Sequence, residues 1–143
     1  MLSKPVNGWT TVSINDFQAE ASYLVDIPFE WLNACLNGFK YKIPISLFID
    51  EEGGECFIIT YYDVTYIIAD RDGEVACSTY RNIDFMDITD MMLNDIRKYF
   101  EDWIVWSPYE DEKIDFQRRR IKLSKLIEEV ENAMKIEKER YHK

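Results

Sequence analysis

The chain is short of nearly every residue type on which common catalytic machinery depends. Its one histidine, His142, stands beside the last residue, where chains are often poorly ordered. Ser-His and Cys-His nucleophile systems therefore have no base to draw on. No G-x-S-x-G or S-x-x-K appears in a supporting context, and Ser22 and Ser46 read as ordinary strand residues. Gly53-Gly54 lacks the lysine and the spacing of a phosphate-cradling loop. No lysine occurs between Lys42 and Lys98, so the strand region has none of the lysines that usually accompany paired carboxylates in a two-metal nuclease.

Other shortages bound the class of protein. No apolar run reaches the roughly 18 to 20 residues that span a bilayer. Met1-Leu2-Ser3-Lys4-Pro5 has no apolar stretch of the kind found in a signal peptide, and a cytoplasmic location is the expectation. Cysteines number three, an odd set too small for a secreted disulfide scaffold. Cys35, Cys56 and Cys77 each fall within an apolar helical or strand segment, without the close C-x-x-C pairing of zinc sites. They are expected to be buried, reduced thiols acting as small hydrophobes. Neither metal nor cofactor is expected.

What is abundant is apolar surface and negative charge. Hydrophobic residues form 47% of the 143-residue chain and aromatics 15%, enough for one domain with a sizeable core and too rich for a disordered chain. There are 17 basic and 27 acidic residues, a formal net charge of −10. Ten of the basic and six of the acidic residues fall from Lys113 onward, leaving seven basic against 21 acidic before it. The body is strongly anionic and the tail mildly cationic. Such a body disfavours direct nucleic-acid binding, which needs cations against phosphates, and speeds association with basic partners.

The hydrophobic periodicity predicts an α+β fold: an antiparallel β-meander with an N-terminal hairpin, two packing helices and a long C-terminal helix. Residues 1–108 form the acidic α+β domain. Residues 109–143 supply a helix packed on that domain or in a dimer interface. Trp9 to Ile14 and Phe17 to Leu24 make the hairpin, turning at Asn15-Asp16. A helix starts near Asp26-Ile27-Pro28, with Asp26 as cap and proline in the first turn. It carries Phe29, Leu32, Leu36 and Phe39 on one side and ends near Gly38.

Ile43 to Ile49, Glu55 to Tyr62, Val64 to Ala69 and Glu74 to Tyr80 read as strands rich in β-branched and aromatic residues. Asp63-Val64 has no glycine, so Glu55 to Ala69 reads either as two strands or as one bent strand. A second helix runs from Asp87 to Trp103, with Ile88, Met92, Ile96, Tyr99 and Trp103 as its stripe and Thr89 or Asp87 as cap. Ser107-Pro108 breaks the pattern. The last helix starts at Tyr109 or Ile114 and reaches Tyr141. Leu123, Leu126 or Ile127, Val130 and Met134 form its narrow apolar side, and Glu131 and Lys135 an i,i+4 pair. The narrow stripe suits packing at one edge or a homodimer.

If the meander is right, two acidic turns share one end of the sheet. Asp50, Glu51, Glu52, Glu55, Asp70, Asp72 and Glu74 then cluster, opposed only by Arg71. Such a patch suits a basic protein, although acidic turns also serve solubility alone. The Asp-Arg-Asp-Gly-Glu run fits a calcium loop only faintly, because it is equally an ordinary hairpin turn. Tyr61 and Tyr62 are added as candidate contacts, since tyrosine and tryptophan concentrate at interface hot spots. Trp31, Tyr66, Trp103 and Trp106 are weighed on the same ground, most such residues being core. Arg118-Arg119-Arg120, with Lys122 and Lys125, could touch nucleic acid; pairing with the acidic body is the favoured use.

The size, the acidity, the missing catalytic groups and the order in which Ala21-Ser22-Tyr23-Leu24-Val25-Asp26-Ile27-Pro28 leads into a helix and a meander carry a resemblance. The chain resembles the small acidic immunity proteins that bacteria pair with polymorphic or contact-dependent toxins. That resemblance implies a cytoplasmic, non-enzymatic inhibitor that covers a cationic toxin domain, often a nuclease; it brings no particular residue with it. Two other classes stay open. One is a nucleic-acid mimic that inhibits a restriction or CRISPR nuclease, which needs carboxylates spaced like phosphates along an elongated surface. The other is a metal-dependent enzyme.

Overall fold

The structure, a computed structural model, describes residues 1–106 and 114–141. The expected break at Ser107-Pro108, the helix start at Tyr109, and His142 lie outside the described residues. In chain order the elements are β1 (Trp9–Ile14), β2 (Phe17–Ser22), α1 (Ile27–Tyr41), β3 (Ile45–Asp50), β4 (Gly54–Thr60), β5 (Thr65–Arg71), β6 (Glu74–Tyr80), α2 (Phe85–Lys98), α3 (Phe100–Ile104) and α4 (Phe116–Tyr141). The α+β expectation holds: an N-terminal antiparallel hairpin, a four-stranded antiparallel sheet in the order β3-β4-β5-β6, and helices that include a long C-terminal one. No helix among the described residues is long and apolar enough to cross a membrane.

The stretch from Glu55 to Ala69 is two strands. Tyr61 N–H donates to the Val64 carbonyl at 3.0 Å to close a tight turn without glycine. Thr60 and Thr65 face each other with hydroxyl oxygens 2.8 Å apart, and the Thr65 hydroxyl donates onward to the Ile83 carbonyl. Side-chain hydroxyls thus satisfy polar groups that the turn brings into the core, and glycine is not needed because no residue from Tyr61 to Val64 has a positive φ.

Alternation along the strands decides what the sheet buries. Ile45, Leu47 and Ile49 on β3, Cys56 and Ile58 on β4, and Thr65 and Ile67 on β5 point to one face and are buried. Helix α1 lies against β3. Its Trp31, 1% exposed, donates its indole N–H to the Phe48 carbonyl at 3.0 Å. The tip of the β1–β2 hairpin reaches the other end of the same layer: Arg71 donates to the Gln18 carbonyl (3.0 Å) and Tyr80 to Asp16 (2.8 Å).

Two helix boundaries differ from the sequence reading. Helix α1 does not stop at Gly38 but continues to Tyr41, and Lys42 is the left-handed terminating residue (φ 57°, ψ 46°). Gly38 is there for space, since a Cβ on it would run into Ile45 Cγ1, far inside van der Waals contact. The expected single helix over Asp87 to Trp103 is α2 followed by the short α3, and the cap is Asp84 rather than Thr89 or Asp87. Asp84 accepts from Asp87 N–H (2.9 Å), while Asp87, as the third helical residue, accepts from Asp84 N–H (3.1 Å). Thr89 is instead buried, its hydroxyl donating to the Phe85 carbonyl.

Helix α4 lies along α1, with Leu123, Leu126, Ile127, Val130 and Met134 buried. The stripe that suggested self-association is therefore occupied within the chain. Both N-terminal ends meet where Arg119 grips Asp26 with two 2.8 Å bonds and also donates to the Trp103 and Trp106 carbonyls. This is why Asp26, at the cap position of α1, makes no side-chain cap bond. At the opposite end Glu137, 4% exposed, pairs with Lys42. Glu131 pairs with Arg97 of α2 rather than with Lys135.

Candidate docking surface

Register places the two acidic turns side by side. Asp50 pairs with Glu55 across β3–β4, and Glu55 with Asp70 across β4–β5. The result is a transverse row of three carboxylates, Asp50-Glu55-Asp70, ending on Val75 of β6. Glu52 and Asp72 extend it over the turns, whereas Glu74, expected in the same cluster, stands opposite Arg71 and so on the other face of the sheet. An open depression of about 700 Å³ at this end is lined by Asp50, Glu52, Glu55, Asp70 and Asp72, the turn glycines and Leu24. Asp72 and Gly73 both have positive φ (54° and 76°), the geometry of a two-residue hairpin turn. Opposed like charges destabilise an antiparallel pair, and no basic side chain lies in this row.

Arg71, the expected counter-charge, points to the other side of the sheet. Its guanidinium donates to Glu51 at 2.9 and 3.1 Å and lies over the Phe17 ring, 5.7 Å from its centroid. Glu51 is thereby withdrawn from the cluster. Partial burial pushes its carboxyl up, but hydrogen bonds from Arg71 and Cys56 and the Arg71 charge outweigh this and hold it below the ordinary glutamate value. The five carboxylates that remain on this side, Asp50, Glu52, Glu55, Asp70 and Asp72, have no paired cation among the described residues.

Beside the carboxylate row lies the face of the sheet turned away from the core. Phe48, Phe57, Ile68 and Cys77 stand opposite one another in turn across all four strands, and Ser46, Ile59, Tyr66 and Thr79 form the next row. Phe48 and Phe57 touch, ring centroids 5.1 Å apart. The Phe and Ile side chains are half-buried by their own neighbours, while Tyr66 is 39% and Val75 69% exposed. No described helix or hairpin covers this face. Apolar surface of this extent beside a rim of charge marks an interaction site more often than a bare surface.

Tyr61 and Tyr62 are not part of this arrangement. They lie in the β4–β5 turn at the opposite end of the sheet, packed edge-on to each other (4.6 Å) and, through Tyr62, to Phe85 (4.9 Å). Tyr61 donates to the Lys42 carbonyl (3.2 Å) and Tyr62 to Glu137 (3.4 Å). Burial first, then the Glu137 charge, raises the Tyr62 phenol above its ordinary value. Trp31, Trp103 and Trp106 are buried, leaving Tyr66 as the one of the weighed aromatics that is exposed on the outer face.

Cys35 and Cys56 are buried, and burial pushes both thiols up to about 12, the neighbouring Glu51 adding to the effect at Cys56. Cys77, expected to be buried, is exposed, because β6 is the outer strand and nothing lies on it. Two of the three arginines of the run serve the body: Arg119 holds Asp26 and Arg120 pairs with Glu101 at 3.0 Å. Among the described residues no group of three or more potential ligands is placed to hold a metal ion.

Compared with known proteins, the chain matches no family model, no curated protein and no solved structure.

Proposed function

We propose that the chain is a binding protein that neutralises a cationic toxin domain, docking it on the acidic end and the adjoining outer face of the sheet. The observation that carries this reading is the Asp50-Glu55-Asp70 row beside the Phe48-Phe57-Ile68 row. A chain selected only for stability would not oppose three carboxylates across strands with no cation between them. A basic partner removes that repulsion on binding, so the complex gains what the free fold lacks.

The two rows divide the work. Carboxylates steer a basic partner into encounter and raise its association rate. Desolvated contacts on the aromatic row hold it there and set the dissociation rate. A compact patch of this kind does not reproduce the elongated spacing of a phosphate backbone, so a protein surface suits it better than the nucleic-acid-mimic alternative. The mechanism asks nothing of a nucleophile, a base or a cofactor, and the chain acts by covering the partner's site.

The test uses the toxin domain encoded beside this chain's gene, upstream in an operon of the kind the resemblance implies. Mixed with it, the chain is expected to elute as a stoichiometric complex and to abolish the toxin's activity. Asp50→Lys/Glu55→Lys/Asp70→Lys should slow association by tenfold or more. Phe57→Ala should mainly speed dissociation. No complex at micromolar concentration, or full protection by both variants, overturns the proposal.

A further inference from the structure

Strand β6 is unguarded. Residues Glu74 to Thr79 are exposed on both faces, and the strand pairs with β5 on one side only. Free edges invite pairing, and proteins usually block them with lysine, proline, a bulge or a covering segment. Between Glu74 and Tyr80 there is no proline, no lysine and no glycine, and the register with β5 runs without a bulge from Arg71↔Glu74 to Thr65↔Tyr80.

The hairpin fixes which backbone groups are free. In a two-residue hairpin the closing pair, here Arg71 and Glu74, exchanges both hydrogen bonds, and bonded pairs then alternate along the ladder. Ala76, Ser78 and Tyr80 therefore turn their N–H and C=O toward β5. Val75, Cys77 and Thr79 turn theirs outward.

We infer that this edge pairs with the same edge of a second copy, antiparallel, about a two-fold axis through Cys77. Charge selects that occupant. The strand follows the acidic turn containing Asp72 and is itself followed by Arg81, which is exposed and has no ion-pair partner among the described residues. Antiparallel self-pairing about Cys77 sets Arg81 of each copy opposite Gly73 of the other, next to Asp72, which lines the acidic depression on that same face. The remaining partners are Val75 with Thr79, Ala76 with Ser78, and Glu74 with Tyr80. No two like charges meet directly across the seam.

The three outward residues of each copy supply about six backbone hydrogen bonds. The four-stranded sheets become one of eight strands, and the row from Phe48 to Cys77 runs on into its symmetry mate. The docking face is doubled and kept on one side. This inference concerns the chain alone and stands apart from the toxin reading.

Light scattering and sedimentation of the full chain across micromolar to near-millimolar concentration, in 0.15 M salt with reductant, test it. The expected result is twice the mass of the chain, reverting to the single-chain mass in Cys77→Pro. Proline there removes an outward N–H and leaves the β5 ladder intact. Should Cys77→Pro fail to fold, Val75→Lys/Thr79→Lys guards the same edge without touching the backbone and is expected to be a monomer.

Arg81→Glu should weaken the dimer tenfold or more, and Arg81→Glu/Asp72→Lys should restore it. Under mild oxidation the dimer should cross-link through Cys77, whose Cα pair at a bonded position lies within disulfide reach. A single-chain mass at every concentration overturns the inference, and so does a dimer that survives the edge variants unchanged.

Discussion

Replacing Glu55 by lysine is expected to stabilise the free chain while disabling its surface. Glu55 stands directly opposite Asp50 on one neighbouring strand and Asp70 on the other, so one substitution turns two repulsive cross-strand pairs into two attractive ones. Each such pair is worth roughly 0.2–1 kcal/mol. All three side chains are open or half-open to water, which places the effect at the low end of that range. Together the two reversals should add about 1 kcal/mol, or about 3–4 °C in melting temperature for a domain of this size.

The assay is urea unfolding followed by tryptophan fluorescence, in about 20 mM and then in about 1 M salt. At about 1 M the screening length falls to about 3 Å, shorter than the separation of opposed side chains, so most of the difference should vanish. A Glu55→Lys variant that is less stable than the native chain at low salt would refute the claim that the row is strained. So would a gain that salt leaves untouched.

Other outcomes follow from single residues. Gly38→Ala should lower stability by about 1–2 kcal/mol: the added methyl collides with the buried Ile45, and overpacking outweighs the gain of about 1 kcal/mol in helix propensity; a higher melting temperature would contradict so close an approach of α1 to β3. A thiol reagent at neutral pH should label one cysteine at once, Cys77, with Cys35 and Cys56 reacting only in denaturant, as burial and thiol values near 12 require; mass spectrometry of the labelled peptides reads it. Glu51 is held below the ordinary 4.5 by Arg71 despite its burial, so its contribution is full above that value and is lost as pH falls through the lowered one. Stability measured from pH 6 to pH 3 should therefore fall more gently in Glu51→Gln than in the native chain, and parallel curves would show that the pair is not formed.

Most of the architecture was legible because the strands and helices advertise different periods. The acidic end was legible too: two turns one hairpin apart must share a sheet end, and the register places Asp50, Glu55 and Asp70 in one row. Tyr61 and Tyr62 were chosen by residue type, whereas position in the meander puts the β4–β5 turn at the far end of the sheet. Missed altogether was the outer face. Its signal lay in strands that are apolar at both parities, Phe48 beside Leu47 and Phe57 beside Cys56 and Ile58. Such runs belong to sheets covered on both sides, yet the described helices and the hairpin cover one.

Gly38 and Asp84 went astray for a different reason. A glycine near a helix end fits termination and close approach equally well in one dimension, and only Ile45, brought in from β3, separates the two. The cap residue Asp84 precedes Ile88, the first residue of the apolar stripe, by four positions, so periodicity alone points to Asp87. The Cys77 expectation failed because burial was inferred from strand composition, and an edge strand can carry the same residues with no layer upon it.

The most direct test of the central claim is the association rate between the chain and a basic toxin domain of the proposed kind, measured by stopped flow as salt is raised. An acidic docking row predicts a rate that falls steeply with salt for the native chain, and one that is slow and nearly salt-independent for Asp50→Lys/Glu55→Lys/Asp70→Lys. Equal rates and equal salt dependence for the two proteins would contradict it.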